Sequence, residues 1–144
     1  MIGVAIAAPA AALDFPPRKP GLWQSSTGGK VTDQWCLNDR ADKALREIDL
    51  MCGATLGAEG DKLVYDNQCK TRARTISSHV VMTGDFTSAY HVEVHETYDP
   101  PQSPGQGVVV KEAEMRWIGP CLAGQKPGDV FDGDGTKRIN IFGD

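Results

Sequence analysis

No run of five basic residues occurs anywhere in this chain of 144 residues, and its formal net charge is −4. Phosphate backbones are held by clustered Lys and Arg, so a nucleic-acid partner is not expected. No C-x-x-C pair occurs among Cys36, Cys52, Cys69 and Cys121, which argues against a zinc ribbon or a dithiol redox motif. There is no G-x-S-x-G elbow and no Gly-rich phosphate loop. Ser77, Ser78 and His79 are neighbours on a β-rich segment, where adjacent side chains point to opposite faces. With no nucleophile–base pair to be read, an enzyme is the least expected reading. Nor is there an apolar stretch of the ~20 residues that a transmembrane helix needs, because Asp14 and Pro16 stop the charge-free opening too soon. No internal repeat is found.

What is present points to a small exported domain. Hydrophobic residues make up 40% and charged residues 24% of the chain, enough for one compact core and too apolar for disorder. Residues 1–12 are uncharged, mostly Ala, Val and Ile, and end in Ala10-Ala11-Ala12. They read as a signal-peptide remnant with Leu13 as the first mature residue, although no Lys or Arg follows Met1. The expectation is a single β-rich domain over 13–144, periplasmic or secreted. An even count of four cysteines in such a chain reads as two structural disulfides, with no cofactor.

The pattern along the chain is mainly that of strands. Residues 13–20 (LDFPPRKP) form an extended lead-in, Gly21-Leu22-Trp23 opens a strand, Gly28-Gly29 turns, and Val31 to Cys36 alternates. Ala41, Ala44, Leu45 and Ile48 then share one helical face, behind Asn38 or Asp39 as a cap. The pairs Asp42–Arg46 and Lys43–Glu47 fall on the other side of that helix, near 39–50. Lys62–Gln68, Thr71–Met82, Phe86–Tyr98 and Val108–Ile118 read as further strands, with a turn at Thr83-Gly84-Asp85 and a Pro/Gly loop at 99–107. The acidic tail from Leu122 ends in a short strand, Arg138–Phe142. Consecutive hairpins with one helix imply an antiparallel meander, a curved sheet or a partly closed barrel.

Several pieces in this order resemble domain-of-unknown-function family 3617: Pro20-Gly21-Leu22-Trp23, Cys36-Leu37 before a helix, Cys69 closing a strand, Met82-Thr83-Gly84, and Trp117-Ile118-Gly119-Pro120-Cys121. The resemblance covers about 19–142. It implies an exported bacterial protein with a β-rich fold, and it implies no activity or catalytic residue. Gly21-x-Trp23 also resembles the lipocalin opening, where an Arg of the last strand covers the Trp; Arg116 is the candidate here.

The candidate sites are few. His91 and His95 share a strand face with Glu93, and a turn near Gly84-Asp85 would bring His79 opposite or diagonal to His91. Imidazole and carboxylate are zinc or copper ligands. However, His91 and His95 lie ~13 Å apart along an extended strand, so only His79 with one of them could share an ion. The bland alternative, a solvated polar face without tightly bound metal, is the expectation. Asp129, Asp132 and Asp134 resemble a calcium loop, but an EF-hand needs Glu at its twelfth position and Gly143 stands there. Trp23, Tyr90 and Trp117 are the candidates for an apolar ligand. The leading reading is therefore a periplasmic, non-catalytic module that binds a protein or a small apolar ligand, and the alternative is a metal-binding or stress protein using His79 and His91. For the cysteines, a hairpin about Gly60-Asp61 would set Cys52 opposite Cys69 and leave Cys36 with Cys121. The rival, Cys36–Cys52 with Cys69–Cys121, must bridge the ends of a ~18 Å helix of twelve residues and stays open.

Overall fold

The computed structural model describes residues 13–143; the signal segment read at 1–12 lies outside them. Strands β1 (Gly21–Thr27) and β2 (Lys30–Leu37) are followed by helix α1 (Asp39–Asp49). Strands β3 (Thr55–Glu59), β4 (Lys62–Lys70), β5 (Thr75–Gly84), β6 (Ala89–Asp99), β7 (Val109–Gly119), β8 (Asp129–Asp132) and β9 (Lys137–Asn140) complete the chain. All nine pair antiparallel in one sheet of order β3-β4-β5-β6-β7-β1-β2-β8-β9. The meander from β3 to β7 is local. Closing β7 onto β1 is not, and it joins the two ends of the domain. The sheet is open, with β3 and β9 as its edges, and does not close into a barrel.

Four strand readings change. The long strand expected over Thr71–Met82 starts only at Thr75, as β5, because β4 runs on to Lys70 and the chain turns at 71–74. The Thr71 hydroxyl makes that turn, accepting from the Arg74 and Ala73 amides at 3.1 and 3.3 Å and donating to the Arg74 carbonyl at 2.9 Å. The weak-looking segment after Gly53 forms β3, and the acidic tail contributes β8. The turn expected at Thr83–Asp85 lies at 85–88 instead. There the Asp85 carboxylate accepts from the Ser88 hydroxyl at 2.6 Å and from the amides of Ser88, Ala89 and Thr87 at 2.8–3.0 Å, and these bonds, the hydroxyl's foremost, hold its pKa well below the usual range.

The register sets the chain's three tryptophans side by side, with Trp23 on β1 between Trp35 on β2 and Trp117 on β7. Trp23 is fully buried, and its indole N–H donates to the Lys19 carbonyl at 2.8 Å. Gly21 precedes it at φ +140, where a Cβ would meet the Gly119 carbonyl and the Trp117 indole nitrogen at 2.4 Å. The Pro-Gly-x-Trp opening thus lets two strands approach closely. Arg116 opposes Gln24 rather than Trp23 and is exposed. It sits on the other face, so the lipocalin-like cover does not form.

Helix α1 begins where Asn38 accepts the Ala41 amide at 2.9 Å. Its buried face is rotated from the one expected. Ala41 and Asp42 are 0% and 1% exposed while Ile48 is 49% exposed, so the Asp42–Arg46 pair faces the sheet. The cause is the lead-in. Arg18 crosses under the helix and its Nε donates to Asp42 at 2.6 Å. Both disulfides flank α1: Cys36–Cys121 ties down the chain just before it and Cys52–Cys69 just after, with Cα separations of 5.6 and 5.3 Å.

Candidate functional site

A nine-stranded sheet is roughly 38 Å across at ~4.8 Å per strand, whereas a helix is only ~10 Å thick. One helix therefore cannot cover the sheet, and the core divides in two. One cluster is built on Trp23, Leu37 and Ala41, with Trp35, Leu45 and Met115 packed against it. The other is built on Leu56, Val80 and Met82, with Tyr65 and Val92 alongside. Tyr90 on β6 belongs to both.

The gap between the clusters is a cleft of about 240 Å³. Its walls are Trp35, Leu45 and Met115 from the first cluster, Tyr65, Met82 and Val92 from the second, and Tyr90. Arg18 and Asp49 are its charged groups. A smaller recess beneath Phe15 and Pro16 shares Arg18, Asp49, Met82 and Tyr90 with it.

The charged groups are arranged by long-range contacts. Besides its bond to Asp42, Arg18 donates from Nη1 to the Tyr90 hydroxyl at 3.1 Å, and its buried Nη2 has no hydrogen-bond partner among the described residues. Burial works against the Arg18 charge, yet Tyr90, Asp42 and Asp49 outweigh it and raise the pKa further. Burial likewise raises the pKa of Tyr90 and of Tyr65. Asp49 ends α1, open to solvent on one side but crowded by protein on the other. Desolvation pushes its carboxyl up to about 6, with Arg18 opposing and Asp42 reinforcing the shift.

Of the aromatic candidates, Tyr90 lines the cleft. Trp23 lies beneath it in the core. Trp117 is held elsewhere, its N–H donating to the Pro20 carbonyl at 3.0 Å and its ring under Lys19 Nζ at 3.7 Å. Trp35, Tyr65, Arg18 and Asp49 were not singled out from the sequence. The short Gly28-Gly29 hairpin by itself would set Trp23 opposite Gln34; a bulge between Ser25 and Ser26 shifts the register by one and brings Trp23 to Trp35, so neither that pairing nor the convergence of Arg18 was open to inference.

The histidines lie on the opposite sheet face and their expected pairing changes. Because the β5–β6 turn is longer than expected, His79 opposes His95, not His91, and His91 opposes Thr83. The His79/His91 metal pair therefore does not form. Among the described residues each histidine bonds a carboxylate instead: His79 to Asp66 at 2.6 Å, His91 to Glu114 and His95 to Glu93, both at 2.5 Å. The acidic tail forms the hairpin of β8 and β9, not a calcium loop of the EF-hand kind. Asp129 is 2% exposed and bonded to Asn140 and the Lys126 amide, while Arg138 bridges Asp132 and Asp33.

The family described as "Protein of unknown function (DUF3617)" matches residues 18–121. The chain belongs to the DUF3617 family. The match runs from Arg18 to Cys121, so it contains Arg18 and every residue named in the cleft walls, together with all four cysteines, and it leaves β8 and β9 beyond its end. Comparison of this DUF3617 protein with curated proteins and with solved structures found no match.

Proposed function

We propose that this DUF3617 protein is a non-catalytic binding module of the periplasm or extracellular space, and that the cleft between α1 and the sheet receives a small apolar molecule. The observation that carries this reading is the divided core: seven apolar or aromatic side chains line a gap that the single helix leaves open. Binding sites of this kind are mostly apolar with a few placed polar groups, and Arg18, Asp49 and the Tyr90 hydroxyl supply those. At about 240 Å³ the cleft falls just short of drug-sized sites, which favours a compact ligand or the end of a longer one. The two disulfides support a compartment where thiols stay oxidised, and by flanking α1 they hold one wall of the cleft in place.

Native mass spectrometry of the protein isolated from its own host's periplasm tests this. A small apolar adduct is expected on the wild-type chain and not on Val92→Trp, which fills the cleft. An adduct-free wild type, or an adduct undiminished in Val92→Trp, would refute the reading.

A further inference from the structure

The sheet face turned away from α1 carries a group of side chains that the cleft does not use. The β6–β7 register sets Glu93 opposite Glu112 and, two pairs along on the same face, His91 opposite Glu114. Two carboxylates facing each other across strands repel, and the Glu112 side chain has no basic partner among the described residues. Each neighbour is also turned so as to leave one donor atom free. His91 Nδ1 is engaged by Glu114 at 2.5 Å, which leaves Nε2. One Glu93 oxygen is taken by His95 Nε2 at 2.5 Å, which leaves the other. One donor atom from each of His91, Glu93 and Glu112 lies within 4.8 Å of the other two.

We infer that His91, Glu93 and Glu112 form a binding site for one divalent transition cation, with Zn²⁺ as its representative. An imidazole nitrogen with two carboxylate oxygens suits such a cation better than Mg²⁺ or Ca²⁺, which favour all-oxygen sets. Bonds of ~2.0–2.2 Å put tetrahedral ligand atoms roughly 3.3–3.6 Å apart. The side chains thus draw together by up to about 1.5 Å on binding, which is available to His91 and Glu93 as half-exposed groups and to Glu112 as an exposed one. Water from the open side completes the coordination. Glu114 then takes the outer position on the histidine, fixing the ring and raising its basicity. The cation would also offset the Glu93–Glu112 repulsion. The ~13 Å separation of His91 from His95 along the strand has no bearing on this site, because His95 orients Glu93 and is not a ligand.

Calorimetric titration of the full disulfide-bonded, tag-free chain with ZnCl₂ in excess Mg²⁺ decides it. One Zn²⁺ per chain is expected, at least about tenfold weaker in His91→Gln and Glu112→Gln, weakened also in Glu114→Gln, where loss of an outer partner costs ~10–100-fold, and unchanged in His79→Gln. On the unmutated protein, Co²⁺ should perturb the His91 ring resonances at lower concentrations than those of His79, so the assignment does not depend on any variant folding. Absence of saturable binding, full binding in Glu112→Gln, or a loss in His79→Gln would overturn the site.

Discussion

On the helix-covered face of the sheet, the side chains of Arg18 and Asp42 are only 10% and 2% exposed, whereas on the open face His79 and Asp66 make an equally short contact at 44% and 73% exposure. The distances match at 2.6 Å, but the physics does not. A buried charge whose partner is removed is left stranded in a poor dielectric. An exposed one is simply hydrated, and its pair contributes little. The covered face therefore uses charge to fix geometry, tying the lead-in to α1 and to Tyr90 around the cleft. On the open face, charge remains available to something from solution.

That contrast can be broken most severely at Asp42. Replacement by Ala strands the Arg18 guanidinium and should cost about 3–5 kcal/mol, the range for breaking a buried pair, measured by urea denaturation. A loss below ~1 kcal/mol, typical of an exposed pair, would show that the two faces do not differ in this way.

Next in size is the cross-link that closes the covered side. Cys52 and Cys69 are 17 residues apart, and a loop of about that length contributes roughly 3 kcal/mol. The Cys52→Ser/Cys69→Ser double variant should lose about that much. Its hydrogen exchange should accelerate in α1 and β4 while β6 and β7, which carry the histidines, stay protected. Uniform acceleration would mean that the bond does not act through the helix wall.

Asp49 gives a smaller, pH-dependent effect. Its folded pKa of about 6 lies above the ordinary 3.8, so folding favours the protonated form. That contribution is complete below pH ~4 and is lost as pH rises through about 6. A carboxylate at the C-terminus of a helix also opposes the macrodipole. Asp49→Asn, which does not titrate, should therefore raise Tm at pH 7 and change it little at pH 4. Solvent at this open rim keeps the gain modest. An equal shift at both pH values would remove the titration argument.

The smallest change is expected at His79→Ala. Its bond to Asp66 is exposed on both sides, so the stability change should stay under ~1 kcal/mol in the same denaturation assay. A loss comparable to that of Asp42→Ala would show the open face to be structural as well.

Much of this molecule was decided by local chemistry and is legible without coordinates. The alternation of Tyr90, Val92 and Val94 with His91, Glu93 and His95 follows from the two-residue period of a strand, and the Asn38 cap and the extent of α1 follow from local hydrogen bonding. The tight turn at Gly60-Asp61 sets Thr55 opposite Asp66 and Glu59 opposite Lys62. Extrapolated past Thr55, the same arithmetic points from Cys52 to Cys69, the pair that the disulfide joins, although the ladder itself ends at Thr55 and Cys52 lies in a turn at φ +62. Family membership was readable for a similar reason, since its pieces are turn residues, cysteines and core tryptophans whose order survives in one dimension.

What only the tertiary structure decided are the contacts between elements distant in sequence. Nothing near Asp42 announces that Arg18, 24 residues earlier, will turn the helix and bury it. The facing of His79 by His95 depends on a four-residue turn held by Asp85, and a shorter turn would have produced the pairing with His91. Glu93 meets Glu112 only because a Pro/Gly loop sets the β6–β7 register. Local periodicity assigns a residue to a face, but turn length and long-range pairing choose its neighbours there, and both the cleft and the histidine–carboxylate group are made of neighbours.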